Sequence, residues 1–344
     1  MTTINRQIHL VSRPTGEATA DNFKLVEASV PDELQDGQVL VRHHYLSLDP
    51  YMRGRMNDTK SYTAPQALNE VMGGGTVGEV VASKNSGFAV GDKVVGMGGW
   101  QEYQLLGGET GGDLRGTLRK VSTEHVPLQA YLGAVGMPGV TAWYGLTQII
   151  APKAGNTVLV SAASGAVGTV VGQLAKVRGA RAVGIAGGPE KCRFVTEELG
   201  FDACIDYKQH TDLKSLSQAL KQACPDGIDG VFENVGGLGL DAALQRMNAF
   251  GRIAACGMIA GYDGEPIPLQ HPQLFVIKRL RMEGFIVSEH MEFWPQALAE
   301  LATLVGTGKL KYRESIADGL AAAPEAFLGL LKGRNFGKQL VKLI

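Results

Sequence analysis

Apolar and polar positions follow two different rhythms along the chain. From about residue 156, short apolar runs alternate with stretches at helical spacing: strands are predicted at 157–161, 182–186, 203–206, 230–233, 252–256 and 283–287, and helices at 166–178, 190–199, 213–223 and 238–247. Regular strand–helix alternation of this kind predicts a parallel, doubly wound sheet. The first 125 or so residues read differently. Short Val-rich runs at 38–44, 75–82 and 92–96 are set off by glycine, with no long helical stretch between them, so this part is expected to be β-rich. Residues 128–150 turn helix-compatible, broken at Met137-Pro138-Gly139. After a helix near 295–305 the pattern ends with 327–332 and an apolar strand at 337–343. No internal repeat or low-complexity segment interrupts it.

Composition narrows the class. With 344 residues, 44% hydrophobic and 19% charged, the chain can bury the cores of two domains and is not expected to be disordered. A formal net charge of −1 gives no electrostatic case for a nucleic-acid partner. The first ten residues hold no apolar core of a secretory signal, and no apolar run reaches the 18 or so residues of a membrane span. Four cysteines, Cys192, Cys204, Cys224 and Cys256, fit neither a disulfide framework nor a paired metal knuckle, which suits a reducing cytoplasm.

The first alternating unit carries the chemistry. Val158-Leu159-Val160 runs into Ala162-Ala163-Ser164-Gly165-Ala166-Val167-Gly168, which opens an apolar helix. In a dinucleotide fold this turn brings backbone N–H groups against a pyrophosphate, so side chains must stay small, and the helix start adds partial positive charge. Ala162 stands where the first glycine of the pattern usually sits. The bland alternative is a glycine-rich strand–helix turn, but four further units follow it. The second strand runs into Gly187-Gly188-Pro189-Glu190-Lys191 without an acid at its end to bond a ribose 2′-hydroxyl. Room from two glycines, with Lys191 and Arg193 as cations, predicts a 2′-phosphate and therefore NADPH.

Six segments in order resemble one family: Tyr45 to Met56, Gly136-Met137-Pro138-Gly139, Ala162 to Gly168, Glu233-Asn234-Val235-Gly236-Gly237, Arg281-Met282-Glu283-Gly284-Phe285 and Asn335-Phe336-Gly337-Lys338. The chain resembles the zinc-free medium-chain dehydrogenase/reductases, in the branch of prostaglandin reductases (leukotriene B4 12-hydroxydehydrogenases), alkenal double-bond reductases and bacterial NADPH-dependent curcumin reductases. The resemblance implies a Rossmann doubly wound parallel sheet inserted in a GroES-like β-rich domain: 1–127 forms the first part of the GroES-like substrate domain, 128–312 the NADP(H)-binding domain, and 313–344 the return. It implies that Lys191 and Tyr207 hold the 2′-phosphate, that Asn234 contacts the cofactor, and that Asn335 reaches the nicotinamide side. A turn residue and a half-buried surface tyrosine are the competing readings for Asn234 and Tyr207. With the motif residues, the expected cofactor-binding set is Ala162, Gly165, Ala166, Val167, Gly168, Gly187, Lys191, Tyr207, Asn234, Cys256 and Asn335.

No metal site is expected. Zinc members of the superfamily carry a Gly-His-Glu cluster and an early cysteine ligand; here Gly73 to Glu79 holds no histidine and no cysteine precedes Cys192. His43 and His44 are neighbours on a strand and point to opposite faces. Without a Lewis acid, reduction of an activated C=C bond is favoured over alcohol oxidation. The expected reaction is hydride transfer to the β-carbon of an α,β-unsaturated ketone or aldehyde, with the enolate held by a hydrogen-bond donor. Tyr262, in the loop after the fifth Rossmann strand, is the first choice for that donor; a packing role in the substrate wall is its alternative. Tyr51 and Tyr62 are second choices. Trp100, Tyr103, Met137 and Tyr144 read better as core than as cleft lining. A quinone reductase of the same superfamily, or a non-enzymatic NADPH-binding protein, are the competing functions. The apolar strand 282–287, placed at a sheet edge, suggests a homodimer.

Overall fold

The chain described at residues 3–108 and 118–344 of a computed structural model divides by its contacts into two units, Met1–Leu132 with Glu314–Ile344, and Gly133–Arg313. In the first unit the chain forms β1 (Ile4–Leu10), β2 (Phe23–Ser29), β3 (Val39–Leu48), the short helix α1 (Tyr51–Arg55), β4 (Glu70–Val71), β5 (Thr76–Ser83), β6 (Lys93–Gly96), β7 (Tyr103–Leu106) and β8 (Leu118–Lys120). The second unit follows with α2 (Met137–Tyr144), β9 (Thr157–Val160), α3 (Gly168–Val177), β10 (Arg181–Ala186), α4 (Pro189–Arg193), β11 (Ala203–Asp206), α5 (Leu213–Ala223), β12 (Ile228–Glu233), α6 (Gly237–Arg246), β13 (Met247–Ala255), α7 (Leu274–Ile277), β14 (Arg281–Gly284) and α8 (Trp294–Gly306). The chain then returns to the first unit with β15 (Glu314–Asp318), α9 (Ala323–Leu331) and β16 (Lys338–Lys342).

In the first unit, β16 pairs antiparallel with β3 and parallel with β15, so the C-terminus is a strand of the N-terminal sheet. The sheet order is β15-β16-β3-β5-β6-β8, with β7 also on β3. Phe327 of α9 meets the Trp100 ring edge-on at 5.6 Å between centroids, and Trp100 stacks on Phe23 at 5.4 Å. Trp100 is therefore core, as its apolar surroundings Ile8, Leu10, Met52 and Val341 require. A buried ion pair adds register. Lys338 Nζ donates to Asp49 Oδ1 at 2.6 Å and to the Leu48 carbonyl at 2.7 Å, while the Ser47 hydroxyl donates to the other Asp49 oxygen. Burial pulls the Lys338 ammonium below the ordinary lysine range, against the opposing pull of Asp49. Two segments 289 residues apart thus meet at one buried charge pair.

The second unit is a six-stranded sheet in the order β11-β10-β9-β12-β13-β14, parallel throughout. This is the 3-2-1-4-5-6 order of a dinucleotide-binding sheet, whose topological switch lies between the first and fourth strands. All four residues of β9 are buried, as expected of a central strand covered on both faces.

Several boundaries differ from the sequence expectation. The Met137-Pro138-Gly139 step does not break a helix; it starts α2, because Pro138 lies in the first turn, where a missing N–H costs nothing. The helix expected at 166–178 begins only at Gly168, since residues 162–165 close a turn through the Gly165 N–H to the Ala162 carbonyl, 2.9 Å. The strand expected at 283–287 is β14, Arg281–Gly284; its pairing stops where β13 stops, at Ala255, and residues 287–289 turn into a 3-10 helix. Among the described residues, no helix is long and apolar enough to cross a membrane.

Candidate active site

The turn after β9 is built for close approach. Ala162 adopts φ +48°, the left-handed region that glycine prefers, so alanine at the motif's first position carries a backbone cost of about 1 kcal/mol. Its reversal sends Ala163 N–H to the Ile185 carbonyl of β10 at 3.0 Å. At Gly168, a Cβ would overlap the Ala162 carbonyl oxygen and the Ala163 Cα, so glycine there is demanded by the packing of helix start on turn. Gly165 is looser, its would-be Cβ 3.1 Å from the same oxygen. Ala166 and Val167 complete the approach to α3, with Val167 at the helix cap.

Across the switch point, Glu233 at the end of β12 ties the two turns together. Its buried side chain accepts from Ser161 Oγ at 2.7 Å, Val235 N at 2.6 Å and Gly236 N at 2.9 Å. Ser161 Oγ in turn accepts from Asn234 N, and Asn234 Nδ2 donates to the Ser161 carbonyl, both at 2.8 Å. The Asn234 amide therefore holds the strand ends at the edge where dinucleotides bind. Sequence reasoning gave Glu233 no role. Its signal was an acid closing the apolar run Gly230-Val231-Phe232, where a buried carboxylate needs partners.

The loop after β13 lies over this edge. Cys256 and Gly257 both donate to the Glu233 carbonyl, Ile259 to that of Asn234 and Ala260 to that of Val235. Burial, with the nearby Glu233 charge, pushes the Cys256 thiol up to about 12, so it stays protonated. Tyr262 folds back within the same loop: a Cβ on Gly257 would stand 3.3 Å from the Tyr262 hydroxyl oxygen. Tyr262, Asn234 and Cys256 thus share one strand-end cluster.

The ends of β10 and β11 form a separate, cationic corner. Gly188 N–H donates to Asp206 Oδ1 at 2.7 Å, fixing the glycine loop against the turn that carries Tyr207 and Lys208. At Gly187 a Cβ would come within 2.9 Å of the Tyr207 ring and 3.2 Å of Lys208 Cε, so only glycine leaves this corner open. Tyr207 is exposed at 49%. Lys191 lies close enough to Lys208 to be affected by it: burial first, and then the Lys208 charge, lower the Lys191 pKa. Two lysines converging at this corner, with Glu190 and Asp206 the acids nearby, suit a doubly charged group. Lys208 was missed from the sequence; its signal was a second cation directly after Tyr207.

The remaining predicted residues lie in the first unit. The Tyr51 ring, under the Arg55 guanidinium at 4.7 Å, is largely enclosed. Burial, then Asp49, raises its phenol well above the ordinary range, with a smaller contribution from Tyr62 nearby. Tyr62 itself is 52% exposed. Asn335 Nδ2 donates to the Gly337 carbonyl at 2.8 Å, shaping the turn before β16.

Metal ligation does not fit. Glu79 pairs with Lys93, and His43 donates Nδ1–H to the Gln101 carbonyl at 2.8 Å inside the core. Among the described residues no three His, Cys, Asp or Glu side chains gather as a metal site.

Comparison with known proteins identifies the relatives of this chain. Two family profiles match, described as the N-terminal domain of oxidoreductase over residues 6–112 and as zinc-binding dehydrogenase over residues 166–303. The second description names a metal for which the described residues gather no cluster of three ligands. The chain is 43% identical to NADPH-dependent curcumin reductase of Escherichia coli (strain K12), over 98% of this chain and 97% of that protein. It is 42% identical to the NADP(+)-dependent 2-alkenal reductase of Nicotiana tabacum, again over 98% and 97%. The crystal structure of CurA from Vibrio vulnificus in complex with NADPH superposes with a TM-score of 0.89 at 43% identity, covering 98% of this chain and 99% of that one.

Proposed function

Because the chain belongs to the medium-chain dehydrogenase/reductases, in the branch of the curcumin, alkenal and prostaglandin reductases, we propose that it is an NADPH-dependent reductase of the C=C bond in α,β-unsaturated ketones and aldehydes. The observation that carries this reading is likeness over nearly the whole chain to reductases named for curcumin and for 2-alkenals. The open corner at Gly187, with Lys191 and Lys208, supports the choice of NADPH over NADH.

NADPH, when bound, supplies the hydride for the β-carbon of the substrate. The turn from Ala162 to Gly168 would hold its pyrophosphate, Lys191, Tyr207 and Lys208 its 2′-phosphate, and the Asn234 and Cys256 strand ends the path towards the nicotinamide. The protein's own task is the enolate. As the β-carbon is reduced, negative charge develops on the carbonyl oxygen, and a preorganised O–H donor lowers that barrier. Tyr262 is assigned the donor role; Tyr51, kept protonated by burial, and Tyr62 are the alternatives. A proton delivered to the α-carbon completes the saturated carbonyl product.

The first unit is assigned the substrate, the second the cofactor. The protein is placed in the cytoplasm as a homodimer. All four cysteines are free thiols, which supports the compartment. The edge position of β14, beside Val276 and Ile277 at 79% and 60% exposure, supports the dimer; a monomer mass in light scattering at micromolar concentration would count against it.

The deciding experiment follows NADPH absorbance after addition of a simple enone, with the product identified by mass spectrometry and NMR. Consumption with loss of the alkene and retention of the carbonyl is expected. Turnover of a quinone but not an enone would move the protein to the quinone reductases, and no turnover of either would leave only a binding role.

A further inference from the structure

The cationic corner rests on two cysteines that the proposed reaction does not use. Cys192, in α4 directly after Lys191, and Cys204, in β11, place their sulfurs 3.2 Å apart. Both are partly exposed, unlike the buried Cys224. A disulfide needs about 2.05 Å between sulfurs, so closure asks for roughly 1 Å of movement.

The surroundings set the two thiols apart from each other and from the remaining cysteines. Cys204 donates to Cys192, and that hydrogen bond lowers the Cys192 thiol while raising that of Cys204. Such an asymmetry gives one sulfur that attacks and one that resolves. The other two thiols are driven the opposite way, Cys224 up to about 11 and Cys256 up to about 12, chiefly by burial. The α4 segment is also not held in one regular helix. After Arg193 it widens into a π-turn over Phe194–Glu198, with Thr196 Oγ1 donating to the Cys192 carbonyl at 3.0 Å.

We propose that Cys192 and Cys204 form a reversible disulfide on exposure to hydroperoxides, and that closing it disturbs the 2′-phosphate corner. The Cys192 sulfur attacks the peroxide O–O bond, giving a sulfenic acid and one water. The Cys204 sulfur then displaces the hydroxyl from Cys192, forming S–S and a second water. Two thiols are oxidised, hydrogen peroxide is reduced to two waters, and no further electron donor is needed. The bond draws the helix carrying Lys191 towards the strand that leads into Tyr207 and Lys208. Lys191 and Lys208 then no longer face the phosphate at their reduced spacing. This second half rests on the NADPH reading above.

The test treats the reduced full-length protein with stoichiometric hydrogen peroxide, then maps peptides without reductant and measures NADPH and NADH dissociation constants. Expected are a Cys192–Cys204 cross-link, about a tenfold weaker NADPH affinity, unchanged NADH affinity and recovery with dithiothreitol. Cys192→Ser and Cys204→Ser should each bind NADPH like the reduced parent and form no intramolecular cross-link with peroxide, while Cys204→Ser should still be oxidised at Cys192. Absence of the cross-link, or over-oxidation of Cys192 with Cys204 still a free thiol, overturns the dithiol. A cross-link that leaves the NADPH to NADH ratio unchanged overturns the coupling. If the reduced protein shows no preference for NADPH, the cofactor reading itself has failed, and the peptide map, independent of cofactor, still decides the disulfide.

Discussion

Lys191 and Tyr262 separate cofactor choice from chemistry, because each touches one and not the other in the proposed arrangement. Lys191→Ala removes one charge-assisted contact, worth roughly 1.5–3 kcal/mol, so KM for NADPH should rise about ten- to hundredfold while NADH kinetics barely change. The ratio of the two cofactor efficiencies is the measurement. Equal losses for both cofactors would make Lys191 a support of the fold and pass the phosphate to Lys208, Arg193 or Tyr207. Tyr262→Phe leaves the loop over Asn234 intact but removes the hydroxyl near Gly257. Its kcat with an enone should fall by up to about a hundredfold, the lower end of the range for losing one oxyanion donor, with NADPH affinity unaltered. An unchanged kcat would reduce Tyr262 to a packing residue and turn attention to Tyr51.

One turn, from Ala162 to Gly168, shows how little slack the element allows. Gly168→Ala would set a methyl group against the Ala162 carbonyl, so the variant should lose roughly 1–3 kcal/mol of stability and bind NADPH more weakly. Denaturant titration and cofactor titration read the two effects. Ala162→Gly, at φ +48°, should instead leave binding intact and gain up to about 1 kcal/mol, the left-handed cost of alanine less the entropy of glycine. This turn and the strands beside it were legible because burial on both faces writes continuous apolar runs such as Val158-Leu159-Val160, and because the pyrophosphate approach tolerates only small residues. The limits of α4 and β14 were less legible. The widening after Arg193 is a hydrogen-bond register that apolar spacing does not encode, and the end of β14 is set by where its neighbour β13 ends. The bond from Ser161 to Glu233 and the meeting of Cys192 with Cys204 were hidden for the same reason: each joins segments from different elements, and neither leaves a spacing in the chain.

At the scale of the molecule, the first unit should be acid-sensitive through one buried ring. Burial lowers His43 from 6.5 to about 4. As pH falls through 6.5 the unfolded chain takes up a proton that the folded one refuses until about 4, so stability is complete above 6.5 and declines below it, by about 3 kcal/mol at pH 4. Urea unfolding across that range should show the slope, and His43→Gln, less stable at neutral pH, should lack this share of it; equal slopes would show that His43 is not its source. The same unit carries a consequence for synthesis. Its sheet is closed by β16 and its core by Phe327, and Asp49 takes its ammonium partner from Lys338. A ribosome that has just released Leu132 therefore has roughly ten to forty seconds of translation left, at about 5–20 residues per second, before those pieces exist. The nucleotide-binding unit, contiguous from Gly133 to Arg313, is complete sooner. Nascent chains stalled late enough to expose Arg313 should yield a protease-resistant fragment from that unit while the N-terminal strands are still digested. Early protection of the N-terminal strands would show that the sheet tolerates its missing edge. The N-terminal unit, first to be made, is thus last to be finished, and for that interval its unpaired β3 edge is exposed to whatever strand or chaperone meets it first.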